Sequence, residues 1–158
     1  MERFSAAIRK ALDEQNWFGA LFLALALPEI CGAVETPEAD TRSRYKRWFK
    51  ENLEHNYRGF LSPEDCYALR QASLHQGLSE IERRALSRIQ FIEPRPGCNV
   101  HRSFLRHTLQ LQIEVFCLDI CEAVEAWIKA VRLNKELGSR MKSMIEIREP
   151  SMEATILL

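Results

Sequence analysis

The chain has 158 residues, a length that fits one domain with one hydrophobic core. Its composition is 46% hydrophobic and 28% charged, and its formal net charge is zero. These values exclude a chain that is disordered for lack of apolar residues, and they exclude a molecule drawn as a whole to nucleic acid or anionic membrane. Binding to such a partner would require a local patch of charge.

Two helices are predicted in the N-terminal part of the chain. Over residues 4–15, apolar residues recur at the spacing of one helical stripe, which predicts a surface helix. Residues 17–34 are apolar on all sides, which is typical of a buried central helix. Pro28 should interrupt and kink this helix, because proline lacks the N–H group and its ring clashes with the preceding turn.

The apolar run at 17–27 also bears on localisation. It is about half the length of a membrane-spanning helix. A signal peptide is the alternative, since Arg9 and Lys10 precede the run. Acidic residues lie in the same region, at Glu2, Asp13 and Glu14. We therefore expect a cytoplasmic protein that does not bind membranes.

A third helix is predicted over residues 41–57. Its helical wheel places Tyr45, Trp48 and Phe49 on one side, where they should join the core. The other side carries a basic stripe formed by Arg42, Arg44, Lys46, Arg47 and Lys50. This α3 stripe is a candidate surface for RNA phosphates, and a face that is simply solvated is the alternative. The aromatic rings point away from it, so they should not stack on bases bound there.

The fourth helix has clear predicted ends. Ser62 is the expected N-cap, Pro63 occupies the first helical position, and Gly77 is the expected residue after the last turn. Apolar residues lie on all sides between these ends, so Arg70 and His75 require partners. Residues 79–86 then predict a short solvated helical connection.

Two strands are predicted, near 87–92 and at 109–116. The second alternates apolar and polar residues, and Ile89 and Phe91 indicate its partner. The proline- and glycine-containing stretch between them predicts a long loop, so we expect a small two-stranded antiparallel ribbon. Such a ribbon is marginally stable alone and should pack on helices or across an oligomer interface.

The last long helix is predicted over 118–131 by a continuous apolar stripe, and its continuation past Gly138 to Ile147 is left open. We expect the tail after Pro150 either to be flexible or to dock on this chain or on a second copy. The sequence therefore predicts one mostly α domain over 1–158. It is a multi-helix bundle with a kinked central apolar helix and a small β-ribbon.

The cysteines do not form a ligand pattern. Their number is odd and no C-x-x-C occurs, so reduced, buried thiols are expected. Cys117 and Cys121 share a helix face, yet no nearby histidine or second cysteine pair completes a tetrahedral site. We expect no metal and no other cofactor. The cysteines are Cys31, Cys66, Cys98, Cys117 and Cys121.

Arg70 and His75 form an R-x-x-x-x-H motif inside the fourth helix. Arginine and histidine recur at similar spacing elsewhere, but only this pair lies within one capped helix. In its helical setting the motif resembles the signature of the HEPN superfamily, helical-bundle proteins of which many are ribonucleases. That signature favours Asn, Asp or His directly after the arginine, where Gln71 stands. The stretches LSPEDCYALRQASLHQG and ALALPEICGAVE also resemble an uncharacterised bacterial family of similar length.

The HEPN resemblance implies a metal-independent ribonuclease with its site at a homodimer interface. Such cleavage needs a base for the 2′-OH proton, an acid for the leaving oxygen and a cation for the phosphorane charge. His75 suits the acid or base role, and its place in the last helical turn favours the imidazolium and the acid role. Arg70 suits the phosphate. They lie about 7.5 Å apart along the helix axis, so two copies would supply a fuller set of groups.

The alternative is a non-catalytic dimeric scaffold or interaction module. There His75 caps helix carbonyls, Arg70 pairs with a buried carboxylate such as Glu29 or Glu35, and the α3 stripe is solvated. A second polar patch near the ribbon is explained equally well by a solvated loop, and it comprises His101, Arg102, Arg106 and His107. The absence of Gly-rich phosphate-loop, H-E-x-x-H and G-x-S-x-G motifs disfavours nucleotide-dependent, zinc-protease and serine-hydrolase chemistry.

Overall fold

The computed structural model describes residues 1–79, 88–97 and 99–147. Within these ranges the chain is mostly helical with one small sheet, as predicted. The helices are α1 (Glu2–Asp13), α2 (Trp17–Glu35), α3 (Thr41–Asn52), α4 (Glu54–Tyr57), α5 (Pro63–Gln76), α6 (Ile113–Val131) and α7 (Lys135–Lys142). The strands are β1 (Arg88–Ile92), β2 (Ser103–Leu105) and β3 (Thr108–Gln112). The predicted helical connection after Ser79, Cys98 and the C-terminal tail lie outside the described residues.

Helix α2 lies at the centre of the bundle and packs against α1, α3, α5, α6 and α7. It continues through Pro28, so the predicted interruption is wrong, while a kink there stays a prediction. Proline removes one backbone hydrogen bond, and packing against neighbouring helices on several sides holds the segment helical. By length and composition alone α2 could cross a membrane, a property that core helices of water-soluble proteins share. The expected cytoplasmic location stays a prediction.

Helix α3 contributes the aromatic part of the core. Tyr45, Trp48 and Phe49 are fully buried, which confirms their predicted place. Trp48 packs edge-to-face against Trp127 of α6, with ring centroids 6.5 Å apart. The single helix predicted over 41–57 is divided, because Leu53 leaves the helical conformation between α3 and α4.

The sheet differs from the predicted antiparallel ribbon. Its strand order is β1-β3-β2, with β3 parallel to β1 and antiparallel to β2. The prediction missed β2, which reverses the chain direction before β3, so that β3 returns parallel to β1. The turn between them is Arg106–His107, and Arg106 adopts φ +56°, a conformation usually signalled by glycine or asparagine. Helix α6 begins at Ile113, so the end of the strand predicted at 109–116 is helical.

Candidate functional site

Helix α5 carries the Arg70–His75 motif, and its two ends confirm the predicted capping. The Ser62 hydroxyl accepts a hydrogen bond from the Asp65 N–H at 3.1 Å, and Pro63 occupies the first turn. Gly77 ends the helix in the left-handed conformation at φ +68°. Because both ends are fixed, Arg70 and His75 hold defined positions in the C-terminal half of the helix.

Arg70 and His75 contact each other directly. The Arg70 Nη1 atom lies 3.3 Å from Nε2 of His75, and the imidazole is exposed to solvent. A guanidinium group only donates hydrogen bonds, so Nε2 is the acceptor in this contact. The Gln71 side-chain oxygen also accepts from Arg70 Nη1. The acid or base role of His75 stays a prediction.

Glu29 of α2 holds Arg70 from the opposite side. Its Oε2 atom lies 2.5 Å from Arg70 Nη2, and its Oε1 atom lies 3.5 Å from Arg44 Nη2. Only 15% of the Arg70 side chain and 19% of the Glu29 side chain are exposed. Of the two carboxylates named as possible partners of Arg70, Glu29 is therefore the one found, while Glu35 accepts from Trp127 Nε1 at 2.5 Å. One carboxylate between two guanidinium groups leaves this charged cluster net positive.

The position of Arg44 in the cluster depends on Gly32. A Cβ atom placed on Gly32 would lie 2.8 Å from both the backbone oxygen and the Cβ atom of Arg44. Helices α2 and α3 therefore touch through backbone at this point, which brings Arg44 within reach of Glu29. Sequence reasoning missed this contact, although an isolated glycine inside an apolar helix was an available signal.

The charged cluster opens onto a groove of about 640 Å³ that runs along α2. This volume lies within the range of small-molecule binding clefts. Arg140 also lines the groove, and it donates hydrogen bonds to the carbonyls of Val34 at 2.8 Å and Glu35 at 3.0 Å and forms an ion pair with Glu136. The groove thus combines apolar walls with the charged side chains of Glu29, Arg70 and Arg140. Its lining includes Glu29, Ile30, Ala33, Arg70, Arg140 and Met144.

The α3 stripe is not one continuous free surface. Arg44 turns inward to Glu29, Lys46 Nζ lies 2.7 Å from Glu64 Oε1, and Arg47 donates a hydrogen bond to the Thr36 hydroxyl. The two remaining members, Arg42 and Lys50, are exposed. The structure therefore brings only Arg44, among the predicted RNA-binding residues, together with Arg70.

The second polar patch divides into a structural part and an exposed part. The His101 Nδ1 atom accepts the backbone N–H of Gln112 at 3.2 Å, and its ring packs edge-on against Tyr57. Burial lowers the pKa of His101, and the nearby charge of Arg102 lowers that pKa further. His101 therefore anchors its loop to the start of α6, whereas Arg102 and Arg106 are exposed at the β2–β3 hairpin.

The thiols in the described part of the chain belong to the hydrophobic core. Cys31, Cys66, Cys117 and Cys121 are free and buried, as predicted. Burial raises the pKa of Cys66 and of Cys117 to about 12, so these thiols are poor nucleophiles at neutral pH. Within residues 1–79, 88–97 and 99–147, no three His, Cys, Asp or Glu side chains are grouped as a metal ligand set.

Comparison of the chain with known protein families, curated proteins and solved structures found no match. The resemblance to the HEPN superfamily therefore rests on the sequence motif and stays a prediction. A functional hypothesis has to be argued from the exposed imidazole, the charged cluster and the groove.

Proposed function

We propose that this chain is a HEPN-like protein that acts as a homodimer and cleaves bound RNA without a metal ion. The observation that supports this proposal best is the contact between the exposed His75 imidazole and the Arg70 guanidinium. Arg70 is in turn positioned by Glu29 beside an open groove. A solvent-accessible base next to a positioned cation is what attack by a 2′-OH on its own phosphate requires.

In the proposed reaction His75 releases its contact with Arg70, and its Nε2 atom removes the proton of the 2′-OH. The 2′ oxygen then forms a bond to the adjacent phosphorus, and the bond from phosphorus to the 5′ oxygen breaks. Arg70 stabilises the negative charge on the phosphorane. The leaving 5′ oxygen takes its proton from a second imidazole, which starts as the imidazolium and ends neutral, so the products are a 2′,3′-cyclic phosphate and a 5′-hydroxyl.

A homodimer would supply the second imidazole. Helix α2 exposes large apolar side chains to solvent, since Phe18 is 73% exposed and Phe22 is 38% exposed. A large exposed apolar surface usually marks an interface. A second copy packed there about a two-fold axis would add a second Arg70 and a second His75. Arg42 and Lys50 remain candidate RNA contacts on α3, because their charges are exposed.

The second candidate is a non-catalytic dimeric scaffold, and the ion pair between Arg70 and Glu29 favours it. The Arg70 guanidinium forms an ion pair with the mostly buried Glu29 and also donates to Gln71. In the scaffold, its role is to join α5 to α2. In that case His75 is a solvated helix-end residue and the protein functions through its apolar surface.

One assay distinguishes the ribonuclease from the non-catalytic scaffold. Labelled single-stranded and hairpin RNA are incubated with the purified protein in EDTA, next to His75→Ala and the matched control Gln76→Ala. The proposal expects cleavage by the parent and by Gln76→Ala, and a rate at least about 100-fold lower for His75→Ala. A parent that leaves RNA intact, while light scattering shows folded dimers, would support the scaffold instead.

A further inference from the structure

An exposed aromatic pair lies on the side of the molecule formed by the β2–β3 hairpin and the chain before α5. Phe60 is 36% exposed and Phe104 is 50% exposed. Their ring centroids are 5.9 Å apart and the ring planes differ by 14°. Because the rings are nearly parallel, the outer face of the pair can take another flat ring in the same stack.

The aromatic pair is held in place by its surroundings. Arg102 Nη1 donates a hydrogen bond to the Asn56 carbonyl at 2.6 Å, which ties the hairpin to α4. Gly59 adopts φ +83° and turns the chain just before Phe60. The pair thus joins two segments that are distant in the sequence, and its exposure does not come from a loose chain end.

The two chain segments that carry this pair are basic. Residues 55–63 contain Arg58 and no acidic residue, and residues 94–113 contain Arg95, Arg102 and Arg106 and no acidic residue. Arg58, Arg102 and Arg106 are exposed, and each lies within two positions of a stacked ring in the chain. We call Arg58, Phe60, Arg102, Phe104 and Arg106 the hairpin surface. Its charge is complementary to a polyanion, and its rings are suited to flat apolar groups.

We infer that the hairpin surface binds single-stranded RNA, with bases stacked on Phe104 and Phe60 and phosphates next to Arg58 and Arg106. Stacking on exposed rings inside a basic surface is how sequence-tolerant single-strand binding works, and duplex bases are not available for it. The inference rests on the proposed function and names its substrate class. The surface lies near the N-terminus of α5, and Arg70 is roughly 12 Å further along that helix from Ser62.

The test measures binding of a labelled oligouridine, and of its duplex with oligoadenine, by fluorescence anisotropy. The His75→Ala background keeps the RNA intact. Phe104→Leu keeps an apolar side chain but removes the flat ring, whereas Phe104→Tyr keeps the ring. We expect Phe104→Leu to weaken single-strand binding roughly tenfold and Phe104→Tyr to leave it unchanged. Thermal unfolding of both variants should match their background, because this side chain is half exposed.

The binding data would overturn the inference in three cases. These are equal binding by the leucine and tyrosine variants, duplex binding as tight as single-strand binding, and no binding of either RNA. A change of oligomeric state in Phe104→Leu would also overturn it, since a second copy would then cover the surface. Cleavage by the parent is measured separately, so the hairpin surface and the His75 site can fail independently.

Discussion

The α3 stripe and the hairpin surface are both basic and both include aromatic residues nearby in the chain, yet they differ in what the fold leaves available. On α3 the rings are buried and Arg44, Lys46 and Arg47 have partners within the chain. On the hairpin surface the rings stack in solvent between exposed arginines. A dense run of basic residues in the sequence therefore does not show that their charges are available to a ligand, because carboxylates and hydroxyls of the same chain can pair with them.

The two basic surfaces differ most at Glu29, because this carboxylate pairs with Arg44 of the α3 stripe inside the protein. Glu29→Ala removes the carboxylate between Arg44 and Arg70 and leaves two poorly solvated cations side by side. We expect a loss of about 3 kcal/mol in the free energy of unfolding, measured by urea denaturation. Glu64→Ala, which removes the partner of the more exposed Lys46, should cost less than about 1 kcal/mol. Equal losses in the free energy of unfolding would mean that the ion pairs of Glu29 contribute no more to stability than the surface pair of Lys46 and Glu64.

The close approach of α2 and α3 gives a second test. Gly32→Ala places a methyl group against the backbone of Arg44, so the two helices must separate, at a cost of about 1–3 kcal/mol. Gly138→Ala in α7 is the matched control, because its methyl group would meet no atom within 4 Å. Alanine there should stabilise the protein by about 0.5–1 kcal/mol through helix propensity. Similar denaturation midpoints for the two variants would contradict the proposed contact.

Salt dependence compares the two basic surfaces directly. The plot of log affinity against log salt concentration has a negative slope. Substituting Arg58 and Arg106 with glutamine should make this slope less steep by about 1.4 for single-stranded RNA, if each contacts one phosphate. The same change at Arg42 and Lys50 should alter the slope less, because no exposed ring beside them holds bases in place. If the α3 pair has the larger effect, the RNA path follows α3 and not the hairpin.

A smaller effect is expected in the pH dependence of stability, through His101 just before the β2–β3 hairpin. Burial lowers the pKa of His101 in the folded protein, so the unfolded chain binds this proton more readily. Stability from this group is complete above the unfolded pKa near 6.5 and declines as pH falls through the lower folded value. His101→Asn, which keeps an acceptor for the Gln112 N–H, should flatten the fall in urea midpoint between neutral and mildly acidic pH. An unchanged profile in this variant would assign the effect to other groups.

Sequence patterns predicted the helices best where local chemistry defines their ends and faces. Ser62 and Gly77 were found as caps, and Tyr45, Trp48 and Phe49 were found as core, because capping and amphipathic spacing are local properties. The sheet was mistaken because its order depends on the hairpin turn at Arg106, where no glycine marks the left-handed conformation.

The functional residues show the same division. The pairing of Arg70 with a buried carboxylate could be anticipated, and Glu29 was one of the named partners. The stacking of Phe60 on Phe104 could not, since it joins the connection between α4 and α5 to a strand that the sequence pattern missed. Likewise, the alternation that predicted a strand to residue 116 could not reveal that helix α6 starts at Ile113, because burial of Ile113 suits either structure.

The central claim is that His75 activates a 2′-OH next to Arg70, and the most direct test changes the nucleophile in the substrate. RNA, the same strand with 2′-O-methyl groups, and DNA of the same sequence are incubated with the parent protein in EDTA, and the products are identified by mass spectrometry. We expect that only the RNA is cut, that its products carry 2′,3′-cyclic phosphate and 5′-hydroxyl ends, and that His75→Ala yields none of them. Cleavage of the 2′-O-methyl strand or of DNA, or no cleavage of RNA by the parent, would contradict it.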